Sequence, residues 1–203
     1  MAETKTGKHR LQRRDVVKAL LSDRGDLLVV AGLGAPAWDV TEAGDHPLNF
    51  PLWGGMGGAV MIGLGLALAQ PERKVLVITG DGEMLMGLGS LATVGAAQPA
   101  NLSVVVLDNE VYGETGQQKT HTAHGVDLAA TARACRFVSA AVVTEASGIE
   151  PLREAIHAGG GPMFAQIKVA AEQMPLVLPP RDGAHLKNRF REALLGAAAH
   201  TAN

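Results

Sequence analysis

Short apolar runs without charged residues alternate with helix-like segments along most of this chain. Two of the clearest runs are VLVIT at residues 75–79 and LSVVVL at residues 102–107. Strands that are apolar throughout are buried on both faces, which is typical of a parallel sheet covered by helices on either side. A length of 203 residues suits one such domain. The sequence therefore predicts a single doubly wound α/β domain with a mostly parallel sheet.

The alternation also gives approximate bounds for each element. Strands are expected near residues 27–32, 74–79, 102–107, 137–143 and 163–169. Helices are expected near residues 13–24, 57–69, 84–97, 127–134, 149–158 and 184–199. The second of these helices is apolar and is expected to be buried, whereas residues 34–55, with three prolines, and the polar residues 109–125 are expected to be loops. By domain, the prediction is a flexible lead at 1–14, the α/β domain at 15–180 and a C-terminal helix at 181–203.

Composition and charge exclude several classes of partner. The net charge of −2 gives no electrostatic reason to expect nucleic acid or an anionic membrane surface. The single cysteine, Cys135, rules out a disulfide framework or a thiolate cluster within the chain and is expected to be a small core residue. No apolar run reaches the roughly 18 residues that span a bilayer, and the N-terminal residues lack an apolar signal core. We therefore expect a cytoplasmic protein.

Polar side chains follow two consecutive strands of the predicted sheet. The first strand ends in Gly80-Asp81-Gly82, and the second ends in Asp108-Asn109. Ligands of doubly wound sheets lie outside the carboxyl ends of the strands. Both sets of oxygen-bearing side chains are therefore expected at the ligand-binding edge of the sheet.

The residue types at this edge favour a metal–diphosphate site. The two glycines allow another group to approach the backbone closely, and a helix beginning near Glu83 directs free N–H groups at the same point, as phosphate binding requires. Asp81 would repel a bare phosphate, but a Mg²⁺ ion bridging the two resolves the conflict, and Asn109 with a nearby backbone carbonyl supplies further oxygen ligands. Alone, Gly-Asp-Gly is more typical of a capped strand-to-helix turn; the second polar pair favours the metal site.

Two other phosphate-binding motifs do not fit. The segment from Gly80 has Leu85 where the dinucleotide motif G-x-G-x-x-G needs its third glycine, and it has a carboxylate in the turn. No G-x-x-x-x-G-K-[ST] loop occurs anywhere in the chain.

The order GDG, helix, strand, DN resembles the diphosphate-binding motif of thiamine diphosphate (ThDP) enzymes, which is usually written GDG followed by NN. Asp108 departs from the first Asn of that pair, whereas Asn109 keeps the metal-binding second position. The resemblance implies Mg²⁺ bound by Asp81, Asn109 and the carbonyl of Val111, and diphosphate bound by the N–H groups of Gly82 and Glu83. It also implies cofactor contacts at Gly80, Tyr112 and Gly113.

A second segment, PLWGGMGGAVMIGLGLALA from residue 51, is similar to the segment that holds the aminopyrimidine ring in the same family. By that resemblance the Gly54 carbonyl accepts a hydrogen bond from the 4′-amino group, with Gly55 beside it, and Met56 wedges the cofactor into a bent conformation. Gly34, in the AGLGAP turn after the first strand, matches the position of another diphosphate contact.

The resemblance covers residues 15 to 170 and implies half of an enzyme. ThDP catalysis in the family needs a glutamate hydrogen-bonded to N1′ of the pyrimidine, and that glutamate comes from a separate pyrimidine-binding (Pyr) domain. This chain has room only for the pyrophosphate-binding (PP) domain. We therefore expect a partner α chain that carries the Pyr domain, assembled as α2β2 or larger.

Among two-chain members, the run GLGSLATV…NL…VVLDN.VYG.TG.Q is most similar to the β subunit of sulfopyruvate decarboxylase and to the related phosphonopyruvate decarboxylases. This implies decarboxylation of a small 2-oxo acid. Residues 112–124 are expected to border the thiazolium. Candidates for binding the substrate anion or moving protons are Glu114, Thr115, Gln117, His121 and His124, with Lys119 as an attractant for an anionic group.

Other interpretations stay open at this point. Residues 112–124 are also compatible with a solvated, mobile loop. The same half-site would suit an acetolactate-synthase-like carboligase, which makes a 2-hydroxy ketone, or a non-catalytic ThDP-binding module. A 2-oxo acid oxidoreductase is disfavoured, because such enzymes often work with iron–sulfur clusters and the chain has one cysteine.

Overall fold

A computed structural model describes residues 11–200. The strands are β1 (Leu28–Ala31), β2 (Asn49–Pro51), β3 (Val75–Gly80), β4 (Leu102–Asp108), β5 (Val111–Tyr112), β6 (Gln118–Lys119), β7 (Ser139–Val143) and β8 (Met163–Lys168). The helices are α1 (Arg13–Leu20), α2 (Ala35–Glu42), α3 (Ala59–Ala69), α4 (Asp81–Met86), α5 (Ser90–Ala97), α6 (Leu128–Ala134), α7 (Ile149–Ala158) and α8 (Gly183–Leu195). Short 3₁₀ helices occupy His121–His124, Ala146–Gly148 and Gly196–His200.

Six strands form one parallel sheet in the order β2-β1-β3-β4-β8-β7. Alternate residues of each strand face opposite sides, so Leu28 and Val30 join one core cluster while Val29 and Ala31 join the other. Helices α3, α5 and α6 cover the first side, and α1, α2 and α7 cover the second. The prediction of a parallel α/β domain is confirmed.

The chain reverses its direction of winding between β1 and β3. From β1 it passes to β2 on one side, and then β3 and β4 are added on the other side. The loops that leave two adjacent strands therefore diverge, and a crevice opens between them. Leu33 and Gly34 follow β1, and Asp81 follows β3, so the predicted ligand residues lie at this crevice.

The prediction of a loop over 34–55 is wrong, because this segment contains α2 and β2. Pro36 lies in the first turn of α2, where its missing N–H costs no helical hydrogen bond. Ala37 and Val40 are buried against the second core cluster. Residues 49–51 extend the sheet by pairing with β1. Burial and pairing with distant residues therefore outweigh the local turn signals.

The single helix predicted over 84–97 is two helices, α4 and α5. The break lies at Gly87, which packs backbone to backbone against Gly57, and a Cβ on Gly87 would collide with the carbonyl of Gly57. Helix α4 also begins at Asp81 rather than near Glu83, which places the aspartate in its first turn.

The composition of α3 led us to expect a helix that is buried on all sides. The structure shows that only one side of it is buried. One side packs on the sheet through Ala59, Leu64 and others. The other side exposes Met61 (42%), Ile62 (38%) and Leu68 (58%). An exposed apolar surface of this kind is typical of a site that contacts another molecule.

The ends of the chain differ slightly from the expected bounds. Residues 1–10 of the predicted lead lie outside the described residues, while Leu11 already pairs with Val169 and α1 begins at Arg13. At the C-terminus the helix ends at Leu195, followed by the left-handed Gly196 and a 3₁₀ turn. Cys135 is partly buried against the first core cluster. Within residues 11–200, no helix is long and apolar enough to cross a membrane.

Candidate functional site

A cavity of about 690 Å³ lies at the carboxyl edge of the sheet, over the crevice between β1 and β3. Most residues predicted for the site line it: Met56, Gly80, Asp81, Gly82, Glu83, Asn109, Val111, Tyr112, Gly113, Glu114, Thr115 and Gln117. Segments far apart in the sequence thus meet at the one edge that the strand-end argument selects.

Asp81 is a buried carboxylate at the floor of this cavity, 2% exposed. Its Oδ2 accepts a hydrogen bond from Thr120 Oγ1 (2.5 Å) and lies 3.1 Å from Thr122 Oγ1. Burial raises the pKa of Asp81 to about 6, and the nearby charge of Asp108 adds to the rise, while the threonine hydrogen bonds oppose it. A buried, poorly compensated carboxylate that faces a cavity is well suited to bind a cation.

Asp108 is also buried, but donors surround it. Its Oδ1 accepts from Thr122 Oγ1 at 2.7 Å, and its Oδ2 accepts from Gln166 Nε2 and Lys168 Nζ, each at 2.6 Å. Lys168 also contacts Glu110 at 3.0 Å. Although burial lowers the pKa of Lys168, the bonds to the two carboxylates raise it above its usual value overall. Lys168 therefore remains a cation and neutralises Asp108.

A tight turn after β4 places Asn109 at the cavity wall. Asn109 Oδ1 accepts from the N–H of Val111 at 3.1 Å, and Asp108 Oδ1 accepts from the N–H of Glu110 at 3.1 Å. Glu110 has a positive φ of 66°, which reverses the chain. The hairpin of β5 and β6 then returns the chain to Thr120, whose N–H donates to the Glu110 carbonyl.

The site has few side-chain carboxylates and imidazoles for metal binding. Within residues 11–200, no three His, Cys, Asp or Glu side chains are grouped so as to hold a metal ion. A cation here would therefore need the amide oxygen of Asn109 and backbone carbonyls besides Asp81. Mg²⁺ accepts such a set, since it binds few protein oxygens and completes its shell with phosphate and water.

Glu83 fastens the loops after β1 and β3 to each other. Its Oε2 accepts from the N–H of Leu33 at 2.9 Å and from Thr79 Oγ1 at 2.8 Å. Burial raises its pKa, and the bond from Thr79 together with the amides of Leu33, Ala59 and Gly57 opposes the rise. Oε2 thus serves the architecture of the crevice, whereas Oε1 is buried without a hydrogen-bond partner.

The glycines of the GDG turn keep the cavity open. A Cβ on Gly82 would collide with the ring of Tyr112, which packs directly over it. A Cβ on Gly80 would meet no atom within 4 Å, so the backbone there borders open space. The backbone of Gly80 is therefore open to the close approach of a ligand, whereas Gly82 is buried beneath Tyr112.

Met56 and Gly34 line two different cavities. Met56 is on its wall and 38% exposed. Gly34 lines a smaller adjoining cavity of about 120 Å³ together with Trp38, Trp53 and Glu114. Gly54 and Gly55 line neither cavity and have open space at their Cβ positions.

The histidine candidates lie away from the cavity. His121 and His124 are exposed on the 3₁₀ helix that follows β6, and Lys119 is exposed in β6 itself. None of the three lines the cavity. Glu114, Thr115 and Gln117 are the residues of this segment that do.

Two parts of the site were not anticipated from the sequence. The first is the hydroxyl and amide network of Thr120, Thr122 and Gln166. The second is the irregular segment 170–180, whose Glu172, Gln173, Met174 and Leu176 line the cavity. Arg13, also on the wall, holds this segment by donating to the Glu172 carbonyl at 2.8 Å while paired with buried Asp39 at 2.6 Å. The Thr-x-Thr spacing and the polar residues in the otherwise apolar β8 were the available signals.

The model of the thiamine pyrophosphate enzyme C-terminal TPP-binding domain matches residues 33–167. The chain belongs to this family. The match begins at the turn after β1 and ends in β8, so it includes that turn and β3 on the two sides of the crevice. A TPP-binding domain is thus the fold around the cavity.

Curated members of the family extend the comparison. The chain is 37% identical over 187 residues to the sulfopyruvate decarboxylase subunit beta of Methanothermobacter thermautotrophicus, covering 92% of this chain and 97% of that protein. It is 36% identical over 178 residues to the phosphonopyruvate decarboxylase of Streptomyces viridochromogenes, covering 87% of this chain but 44% of that one.

A solved structure gives the same architecture. Benzoylformate decarboxylase from Polynucleobacter necessarius superposes with a TM-score of 0.65 at 18% identity, covering 87% of this chain and 36% of that chain. The TPP-binding domain described here therefore corresponds to about a third of that solved polypeptide, and the likeness concerns the fold.

Proposed function

We propose that this chain is the β subunit of a two-chain, Mg²⁺- and ThDP-dependent 2-oxo acid decarboxylase of the sulfopyruvate and phosphonopyruvate class. The observation that carries the proposal is the cavity at the crevice of a TPP-binding domain, with Asp81 and Asn109 on its wall. The names of the relatives support the choice of reaction class.

The residues of the cavity fit the cofactor. Its volume of about 690 Å³ lies within the range typical of small-molecule sites. Asp81, Asn109 and the Val111 carbonyl would hold Mg²⁺, and the N–H groups of Gly82 and Glu83 would bind the diphosphate. Bound ThDP supplies an electron sink for decarboxylation. Met56 on the wall would support the bent cofactor, with Gly54 and Gly55 near the pyrimidine.

The comparison of lengths supports a second chain. This chain spans almost the full length of a protein named as a β subunit but less than half of the phosphonopyruvate decarboxylase from Streptomyces. In the latter, more than half of the polypeptide has no counterpart here. We therefore assign the missing Pyr domain, with the essential glutamate, to an α subunit, in a complex of α2β2 or larger.

The exposed side of α3 is the surface that this α subunit would cover. Met61, Ile62 and Leu68 form an apolar surface, hereafter the α3 face. Met56, which lines the cavity, is exposed three residues before α3 begins, and exposed Met86 packs near Gly57. Burying it removes apolar area from water at roughly 25 cal/mol per Å². A partner seated here would also lie beside the cavity mouth, where its glutamate is needed.

Substrate recognition is assigned to the first part of the segment 112–124, from Tyr112 to Gln117, which borders the cavity. Glu114, Thr115 and Gln117 line the cavity, which makes them candidates for positioning a small 2-oxo acid or moving a proton. His121 and His124 keep the role proposed from the sequence only if the partner or the substrate brings this 3₁₀ helix to the reacting atoms.

Reconstitution tests the proposal. The chain would be purified alone and together with the Pyr-domain partner that copurifies with it, each with ThDP and Mg²⁺. Release of CO₂ would be measured with sulfopyruvate, phosphonopyruvate and pyruvate. We expect turnover, with free aldehyde as product, only from the two-chain complex. Turnover by the chain alone would refute the two-chain assignment, and a 2-hydroxy ketone product would identify the carboligase instead.

A further inference from the structure

The buried hydroxyls of Thr120 and Thr122 lie behind the cavity, where they touch both strand-end carboxylates. Thr120 is 0% exposed and Thr122 is 5% exposed. Thr120 Oγ1 and Thr122 Oγ1 are 2.9 Å apart, and both lie within hydrogen-bond distance of the same oxygen, Asp81 Oδ2. Buried polar groups in such a closed set are held in fixed positions.

The number of protons decides which bonds form. Each threonine hydroxyl carries one hydrogen and can donate only one bond. The shortest contacts are Thr120 to Asp81 Oδ2 at 2.5 Å and Thr122 to Asp108 Oδ1 at 2.7 Å. Thr120 therefore donates to Asp81 and Thr122 donates to Asp108, which leaves no proton for a hydrogen bond between the two hydroxyls, so their contact at 2.9 Å is one of packing.

Asp108 is the anchor of this arrangement. Besides Thr122 it accepts from Gln166 and Lys168. The Gln166 amide cannot turn over without losing two bonds, because its Oε1 accepts from the N–H groups of Leu128 and Ala129. Asp108 is thus surrounded by donors and neutralised by a cation, which makes it a poor metal ligand despite its charge.

Asp81 differs from Asp108 because the threonines contact only one of its two carboxylate oxygens. Thr120 donates to Oδ2 and Thr122 lies 3.1 Å from it, so Oδ1 is the oxygen left for a cation in the cavity that Asp81 lines. Fixing one oxygen of a carboxylate fixes the direction of the other. Partners that orient a metal ligand in this way are worth roughly 10- to 100-fold in metal affinity.

We infer that Thr120 is a positioning residue for the metal ligand Asp81, and that Thr122, held by its bond to Asp108, supports Thr120 through the contact of the two hydroxyls. This inference rests on the proposed Mg²⁺–ThDP function of the site. It also gives the Asp108 departure a role: an aspartate accepts from Thr122, Gln166 and Lys168 together, whereas an asparagine would leave the Lys168 ammonium with one carboxylate fewer.

The test compares Mg²⁺ affinity at saturating ThDP, by calorimetry, in the full chain with its partner subunit. Thr120→Val keeps the shape of the side chain but removes the hydroxyl, and we expect the Mg²⁺ dissociation constant to rise about 10- to 100-fold. Thr120→Ser restores the hydroxyl and should stay within about threefold of wild type. Thr122→Val, which removes the hydroxyl that contacts Thr120, should give an intermediate loss.

The matched control is Thr131→Val, which removes a hydroxyl bonded to the Asp127 carbonyl on α6, and its Mg²⁺ affinity should equal that of wild type. Far-UV circular dichroism checks folding, and Thr122→Val takes over if Thr120→Val does not fold. Folded valine variants with wild-type affinity, or a Thr120→Ser variant as weak as Thr120→Val, would overturn the inference alone. Failure of the wild type to bind Mg²⁺–ThDP would overturn the proposed function and this inference with it.

Discussion

The hydroxyl of Thr122 lies between two buried carboxylates, 3.1 Å from Asp81 Oδ2 and 2.7 Å from Asp108 Oδ1. Lys168 pairs with Asp108 and Glu110 but not with Asp81. The burial of Asp81 is therefore not offset by a paired cation, and this burial raises its pKa to about 6. Because the buried carboxylate of Asp81 is unfavourable without a cation, the binding of a cation there would stabilise the protein.

This difference predicts how pH affects the metal-free protein. The pKa of Asp81 is higher in the folded state, about 6, than the ordinary value of 3.8 in the unfolded chain. Its stabilising contribution is therefore full below about pH 4 and is lost as the pH rises through about 6. Asp81→Asn cannot ionise, so in EDTA it should exceed the wild type in free energy of unfolding by roughly 1–3 kcal/mol at pH 7.5.

Urea titrations of both proteins at pH 4.5 and 7.5 measure this effect. The difference between the variant and the wild type should grow as the pH rises, because all other titrating groups are common to the two proteins. A difference that is the same at both pH values would show that Asp81 ionises in the folded protein as easily as in water.

Removal of the Glu83 side chain is expected to lower the free energy of unfolding, in contrast to the increase expected for Asp81→Asn. Glu83→Ala would leave the buried N–H of Leu33 and the hydroxyl of Thr79 without their acceptor. We expect a decrease of about 2–4 kcal/mol in the free energy of unfolding. The control Glu154→Ala removes an exposed glutamate from α7 and should stay within about 0.5 kcal/mol of wild type. Equal effects of the two substitutions in urea unfolding would contradict the fastening role of Glu83.

Among the elements, the strands of the sheet were the most predictable. Each central strand is a continuous apolar run, and burial on both faces of a parallel sheet requires that pattern. Helix α7 likewise matches its predicted bounds. The failures, α2 with β2 and the break between α4 and α5, depend on contacts with residues distant in the sequence, which a local pattern of turn formers does not reveal.

The same limit applies to the site. Asp81 and Asn109 were predictable because parallel strands place their ends at one edge of the sheet. Thr120 was not, because a hairpin returns the chain to β4 before the hydroxyl reaches Asp81. Gln166 and Lys168 reach Asp108 only through the pairing of β8 with β4. Their polarity in an apolar strand was visible, but the partner was not.

The break at Gly87 gives a prediction for the element scale. Gly87→Ala would place a methyl group against the Gly57 carbonyl, so the turn must shift together with neighbouring Met56. We expect the free energy of unfolding of Gly87→Ala to fall by about 1–3 kcal/mol. Gly89→Ala is the control, since a Cβ there meets no atom within 4 Å. Thermal unfolding of the two variants decides the matter, and equal melting temperatures would mean that the Gly57–Gly87 contact is not tight.

At the scale of the whole molecule, the α3 face distinguishes a subunit from a free-standing domain. The introduction of a charge, as in Ile62→Glu, should prevent assembly with the α subunit because the interface would have to bury an unpaired carboxylate. Val138→Glu is the matched control, because Val138 is 63% exposed just before β7, at the far edge of the sheet. Size-exclusion chromatography with light scattering would report the complex. Assembly of the Ile62→Glu variant with wild-type stoichiometry would assign the α subunit to another surface.

The molecule as a whole combines a TPP-binding domain with an exposed apolar face on α3. The chain spans nearly all of a protein named as a β subunit and less than half of a phosphonopyruvate decarboxylase. The metal ligands and the diphosphate contacts are assigned to this chain, and the glutamate that activates the cofactor is assigned to its partner.

The measurement that tests this account most directly is ThDP binding by calorimetry, with and without Mg²⁺, in the wild type and in Asp81→Ala within the assembled complex. For the wild type we predict one ThDP for each copy of this chain, bound only when Mg²⁺ is present. For folded Asp81→Ala we predict no measurable ThDP binding. Mg²⁺-dependent ThDP binding of equal affinity in the two proteins would contradict the assignment of Asp81 and, with it, the site proposed here.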